Sequence, residues 1–211
     1  MNTLDFIYKR HSVRNFKEAA VPNEDIREII RAATYAPSGK NQQNWHFIVV
    51  KNRSIIEKIS AAIEAKGKKM VEGLPEEKTK DFLKYLPFYS FFTKAPVTVL
   101  VFAGPYPTTG EELLRAKNAS EEEIAALGKH HPGIQNVAAA VENLLLAAAN
   151  LGYGTCWMTG PNFAAKEIQE AVGFEREGYY LAAMTPLGVP EEKELTSPKR
   201  KPLEEVLEIL E

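Results

Sequence analysis

Apolar residues recur at helical spacing in some stretches of the chain and run continuously in others, and the two patterns alternate along most of its length. Leu4, Ile7 and Tyr8 predict a short helix over residues 3 to about 9. After Val21-Pro22, Asn23 is a candidate N-cap for a helix whose apolar face is Ile26, Ile29, Ile30 and Ala33, and which ends before Pro37. Ile55, Ile56, Ile59 and Ile63 mark another helix. The following residues 66–80 are charged and without a clear period, so they are expected to be exposed. Strands are expected at 46–50, 96–102, 155–158 and 179–187. The second of these is β-branched and continuously apolar, which suits the middle of a sheet. Ser120-Glu121-Glu122-Glu123 reads as a capping box opening a helix after the turn-rich stretch 104–110.

From residue 132 to about 151 the pattern changes. Val137, Ala138, Ala139, Val141, Leu144, Leu145, Leu146 and Ala148 put apolar groups on nearly every side of one long helix, which Gly152 ends. A helix apolar all round needs covering all round, and in a short chain the simplest arrangement places it between the sheet and a second subunit. Pro161-Asn162 starts a helix carrying Ala165, Ile168 and Val172. Pro202 precedes Leu203, Val206, Leu207 and Leu210, a helical stripe that also asks for a partner surface. Phe82, Tyr85, Leu86, Phe88, Tyr89, Phe91 and Phe92 form a dense aromatic segment that reads as core or as the roof of a pocket for a flat ligand, core being the stronger reading.

Composition narrows the function classes. With 26 Lys plus Arg against 28 Asp plus Glu, the net charge of −2 gives no reason to bind nucleic acid or an acidic membrane. No apolar run approaches the roughly 18 residues that span a bilayer, and the N-terminus lacks a signal peptide's apolar centre, so a cytoplasmic protein is expected. Cys156 is the only cysteine, which excludes an internal disulfide and a thiolate cluster, and it is expected to be a packed, inert thiol. His11, His46, His130 and His131 have no metal-ligand spacing and are read as exposed loop histidines. Gly152-x-Gly154 follows a helix and leads into a strand, the wrong order for a dinucleotide fingerprint. No internal repeat, linker or composition shift divides the 211 residues, and one domain is expected.

Three stretches carry candidate chemistry. In an extended Arg10-His11-Ser12-Val13-Arg14, side chains alternate, so Arg10, Ser12 and Arg14 point the same way and set two guanidinium forks beside a hydroxyl. That trio suits a phosphate; taken alone, the stretch reads more readily as a solvated basic turn. Residues 36–44 have turn chemistry, with small residues that leave backbone N–H groups open to a ligand. The third stretch is Gly152-Tyr153-Gly154-Thr155-Cys156-Trp157-Met158-Thr159-Gly160.

Together the three resemble the FMN-dependent nitroreductase family. Arg10, Ser12 and Arg14 match its Arg-x-Ser-x-Arg/Lys segment, and Pro37, Ser38, Asn41, Gln43 and Trp45 match its Pro-Ser-x-x-Asn-x-Gln-Pro-Trp loop, with Asn44 where the family has proline. Asn143-Leu144-Leu145-Leu146-Ala147-Ala148 and residues 152–160 match its central helix and following segment, and Leu187-Gly188 with Arg200-Lys201-Pro202-Leu203 resembles its closing motif. The resemblance implies an α+β fold with a central mixed, mostly antiparallel sheet flanked by helices, in an intertwined homodimer. It implies a single FMN-binding domain over 1–211, in which about 66–131 is a variable lid that selects the substrate and about 200–211 an arm on the partner subunit. The implied cofactor-binding residues are Arg10, His11, Ser12, Arg14, Pro37, Ser38, Gly39, Asn41, Met158, Thr159, Gly160 and Arg200. Arg10 and Arg200 would neutralise the phosphate, Arg14 would reach the pyrimidine edge, and the Gly160 N–H would face flavin N5. Residues 37–41 would come from the other subunit, with FMN at the interface. The implied activity is ping-pong reduction of nitroaromatics, quinones or similar small oxidants by NADH or NADPH, with no catalytic side chain and no metal. The alternatives are a flavin-binding protein without NAD(P)H turnover, or a same-fold enone reductase or dehalogenase.

Overall fold

The computed structural model describes residues 3–192 and 198–211. Its sheet holds β1 (Trp45–Val50), β2 (Val97–Ala103), β3 (Gly154–Thr155) and β4 (Tyr180–Gly188), all antiparallel, in the order β1-β2-β4-β3. Every residue of β2 is buried, as its unbroken apolar run requires of an inner strand. Alternation then divides the strand between two cores. Val97, Val99, Val101 and Ala103 face α2 (Asn23–Thr34) and α7 (Pro132–Asn150), whereas Leu100 and Phe102 face α3 (Arg53–Val71) and α8 (Ala165–Val172). The sheet is therefore covered by helices on both faces.

The described residues also include the short α1 (Asp5–Tyr8), α4 (Glu76–Tyr85), α5 (Glu111–Ala116) and α6 (Glu121–Gly128). Residues 66–80 belong mostly to α3 and α4 and are largely exposed, so a charged stretch without visible period is nonetheless helical. The capping box before α6 forms in full: Ser120 Oγ accepts from Glu123 N at 3.2 Å, and Ser120 N donates to the Glu123 carboxylate at 2.9 Å. Asn23 differs from expectation. It is the first residue of α2 rather than its cap, and its side-chain oxygen accepts from Lys51 Nζ at 2.8 Å. The end of α7 is a Schellman motif: Gly152 has φ 84°, its N–H donates to Ala149, and Tyr153 N donates to Ala148.

Val137, Ala140, Val141, Leu144 and Leu145 bury α7 against the sheet and α2. Its remaining face, including Ala138, Glu142, Asn143 and Leu146, is half-buried, so a single chain does not cover the helix completely. Phe6, Tyr35, Leu146 and Ala147 line a groove of about 510 Å³ along that face. The expected C-terminal helix does not form: residues 203–205 make one 3₁₀ turn, and the stripe is exposed, reaching 87% at Leu210. A helix this short gains too little in water without a surface to bury its apolar face.

Tyr153 ties the end of α7 to the start of α2 by donating its hydroxyl to Asp25. The hydrogen bond to the carboxylate, with a smaller part from burial, pushes the phenol up from 10.0 to about 12. The native state thus holds this proton where the unfolded chain would release it, so the contribution is complete below pH 10 and is lost as pH rises toward 12. Thermal melts across that alkaline range should show a shallower loss of stability in Tyr153→Phe than in the parent.

Candidate functional site

The basic segment is held as an added edge of the sheet. Val13 N donates to Thr155 O at 2.8 Å, Ser12 pairs with Thr155 in a parallel bridge, and further on Lys17 N donates to Val189 O at 2.9 Å. The parallel bridge makes the pairing mixed. A glycine is required opposite: a Cβ on Gly154 would lie 2.7 Å from Val13 Cβ. Val13 is buried at 2% exposure, whereas Ser12 and Arg14 are exposed and Arg10 is half-buried, so the three polar residues share the open face. His11 is half-buried.

Cys156 lies beneath this face. Burial raises its thiol pKa, opposed first by the Arg14 charge, then by a hydrogen bond from Ser12 and by the Arg10 charge, and the thiol stays protonated as expected of a packed cysteine. Arg10 Nε lies 3.7 Å from Glu142 Oε1 on α7. The Arg14 guanidinium donates to Ser12 O at 3.3 Å and sits over the rings of Phe88 and Phe91, at 5.9 and 5.8 Å.

Beyond β3 the chain continues past the cluster. Cys156 and Met158 turn inward, while Trp157, Thr159 and Gly160 are exposed. Met158 exchanges both backbone hydrogen bonds with Met184 at 2.9 Å, and its side chain packs in the core under α3 and α8. The Met158 side chain thus points into the core, away from the exposed Trp157 and Thr159, as alternation requires. Gly160 is pressed by Tyr89, whose ring carbon would lie 2.5 Å from a Cβ there. Tyr89 in turn packs edge-on to Phe163 at 5.8 Å. Within the aromatic segment Leu86 and Phe92 are core, and Phe88, Tyr89 and Phe91 form a wall running from Arg14 to Gly160, Tyr89 and Phe91 packing half-buried against the core.

The loop carrying Pro37, Ser38, Gly39 and Asn41 is tightly wound. Lys40, Asn41 and Gln43 have φ of 54°, 53° and 46°, in the left-handed region that residues other than glycine rarely adopt. Ser38 Oγ accepts from Gln43 N at 3.1 Å, and Gly39 N donates to Asn136 Oδ1 at 3.1 Å near the start of α7. Pro37, Gly39 and Asn41 are exposed and Ser38 half-buried. Arg10 meets α7 at Glu142, six residues or about 9 Å along the helix from Asn136. Among the described residues, no hydrogen bond or ion pair joins the loop to Arg10, Ser12 or Arg14. Arg200 lies in the exposed tail and donates to Pro198 O at 3.3 Å. One chain thus carries Arg10, Ser12 and Arg14 on one segment paired with Thr155, and sets the aromatic wall beside both Arg14 and Gly160.

His46 is not an exposed loop residue. It lies half-buried on β1, stacked on Phe174 at 5.0 Å and close to Arg176, and burial followed by the Arg176 charge lowers its pKa. Among the described residues no cluster of His, Cys, Asp and Glu could hold a metal, and no helix is long and apolar enough to cross a membrane.

The model of the nitroreductase family matches residues 7–189. The chain is 29% identical over 196 residues to an Archaeoglobus fulgidus protein provisionally named NADH dehydrogenase/NAD(P)H nitroreductase, covering 90% of this chain and 86% of that one. A BluB-like flavoprotein from Clostridium difficile 630 superposes with a TM-score of 0.93 at 44% identity over 100% of both chains. An oxidized iodotyrosine deiodinase bound to FMN and 3-iodo-L-tyrosine superposes with a TM-score of 0.66 at 26% identity, over 93% of this chain and 94% of the other.

Proposed function

The chain belongs to the nitroreductase family, and on that premise we propose that it is an FMN-dependent oxidoreductase that uses NADH or NADPH to reduce nitroaromatics, quinones or similar small oxidants. The observation that carries the reading is the alternation of Arg10, Ser12 and Arg14 about buried Val13 on a segment tied to Thr155, with Phe88 and Phe91 beside Arg14 and Tyr89 against Gly160. The donor set fits FMN: guanidinium forks and a hydroxyl suit a phosphate, and the exposed backbone at Thr159 and Gly160 suits the edge of a flat ring.

Bound FMN would supply the redox chemistry, accepting a hydride from the nicotinamide and passing electrons to the oxidant. The chain's own residues bind and orient. Arg10 would leave Glu142 for the phosphate, joined by Arg200. Ser12 would add a hydroxyl hydrogen bond, and Arg14 would place its charge at the pyrimidine edge, where it favours the reduced, anionic ring. Thr159 and Gly160 would offer backbone N–H groups along the ring's reactive side. No acid–base pair is needed.

We infer a homodimer in which residues 37–41 complete the site from the partner subunit, with FMN between the copies and the tail 200–211 as an arm on the partner. Three features support it: the half-buried face of α7, the groove at Phe6 and Tyr35, and the exposed Leu203, Val206 and Leu210. Sedimentation at low concentration checks this; a stable flavin-loaded monomer would contradict it. Substrate choice is assigned to about 66–131.

Anaerobic stopped-flow mixing with NADH and with NADPH is the deciding experiment. Bleaching of the flavin, then reoxidation by a quinone with parallel double-reciprocal lines, is expected. Failure of both nicotinamides would leave a flavin-binding protein without turnover. The likeness to the deiodinase favours a second reading, reductive dehalogenation, and release of iodide from 3-iodotyrosine by the reduced protein would establish it.

The wall also predicts a separation of effects. Tyr89→Ala should reorder the preference among oxidants, since a stacking aromatic contributes about 1 kcal/mol to a flat ligand, while FMN content is kept. Phe92→Ala should instead lower stability by about 3–5 kcal/mol, because Phe92 is fully buried core. Rates with a panel of oxidants and thermal melts distinguish the two.

A further inference from the structure

Asn44, standing where the family pattern has proline, is buried and takes part in a closed chain of hydrogen bonds. Its amide nitrogen donates to the carbonyls of Gly104 (3.3 Å), just past β2, and Gly133 (3.1 Å), in the first turn of α7. Its side-chain oxygen accepts from Asn136 Nδ2 at 2.9 Å, and Asn136 Oδ1 accepts from the Gly39 N–H at 3.1 Å. The backbone closes the other end, Gly104 N donating to Asn44 O at 2.6 Å. The orientation of both amides follows from their partners. Two carbonyls can be met only by the NH₂ of Asn44, which turns its oxygen to Asn136, which must answer with its own NH₂ and so leaves an oxygen for Gly39. Both side chains are more than nine-tenths buried, so each of these bonds, once broken, leaves a polar group away from water.

The network ends on the loop that most needs support. Left-handed Lys40, Asn41 and Gln43 each cost conformational energy and persist only where the surroundings hold them. A proline at 44 would also restrict Gln43 to extended conformations, which its φ of 46° is not. Tyr106 occupies the space where a Gly39 Cβ would project, closing the loop from the other side.

We propose that Asn44 and Asn136 are a pair of positioning residues that hold loop 37–43 in its wound form, in place of the stiffness a proline would give. That this loop contacts FMN rests on the functional reading above; that the pair holds it does not.

The test uses the full-length protein with Asn136→Leu, similar in volume and unable to hydrogen-bond. Hydrogen exchange of the peptide spanning residues 37–45 is followed without added FMN, and FMN affinity is titrated separately. Ile168→Ala in α8, a fully buried residue remote from the loop, serves as the comparator for general destabilisation. Asn136→Leu should speed exchange at Gly39 by about tenfold or more relative to β2 and weaken FMN binding about fivefold or more, whereas Ile168→Ala should do neither selectively. Unchanged exchange at Gly39, or the same selective loosening in Ile168→Ala, overturns the proposal. Faster exchange with unaltered FMN affinity supports the positioning pair and removes the loop from the flavin site. Should Asn136→Leu fail to fold, Asn44→Ser, which is too short to reach all three partners, is read in the same way.

Discussion

Arg10→Ala is expected to weaken FMN binding by about 1.5–3 kcal/mol, roughly 10- to 150-fold, the loss of one charge-assisted hydrogen-bonding partner. The Arg10 side chain is 21% exposed and lies two residues before the bridge that ties Ser12 to Thr155, so part of its freedom is already lost before binding. Its present partner is a weak competitor. Glu142 is 44% exposed and 3.7 Å away, and a screened pair of that kind contributes little, whereas a phosphate monoester brings nearly two charges. Arg10→Lys should recover only part of the loss, because an ammonium lacks the planar fork. Arg200→Ala should weaken binding to a similar degree. Arg14→Ala should behave differently, lowering the flavin's reduction potential more than its affinity. Fluorescence titration and redox titration of the three variants check this set. An unaltered affinity in Arg10→Ala would move the phosphate away from this segment, and an unaltered potential with greatly reduced affinity in Arg14→Ala would return Arg14 to the phosphate.

Gly154→Ala is expected to act on the same site from beneath. The added methyl would lie 2.7–2.8 Å from three carbons of Val13, on two backbones already joined by the Val13 to Thr155 hydrogen bond. Overpacking of this kind costs about 1–3 kcal/mol, and here the strand carrying Arg10, Ser12 and Arg14 must shift to relieve it. Stability and FMN affinity should therefore fall together, the affinity by about tenfold, although no ligand-binding side chain has changed. Val13→Ala removes two of the three crowding carbons, so the double variant should recover part of both losses. Melting curves and FMN titration of the two single variants and the double variant provide the check. Independent, additive effects would show that Val13 and Gly154 do not hold the segment in register.

Periodicity alone located most of the elements, because a local pattern records which side of an element is dry. Val97, Val99 and Val101 announce an inner strand, Ile26 and Ile29 one face of a helix, and Ser120 with Glu123 a helix start, each through interactions within a few residues. The alternation of Arg10, Ser12 and Arg14 about Val13 was legible for the same reason. What the local pattern could not carry is the partner of each face. The charged helices through residues 66–80 have too little apolar surface to show a period, and the C-terminal stripe shows a period without a surface to bury it. Met158 points into the core, His46 stacks on Phe174, Tyr89 presses on Gly160, and Asn44 joins β2, α7 and the loop at Gly39. Each of these contacts joins residues distant in the chain, and only the closing of the sheet against its two helical layers decides which of them meet.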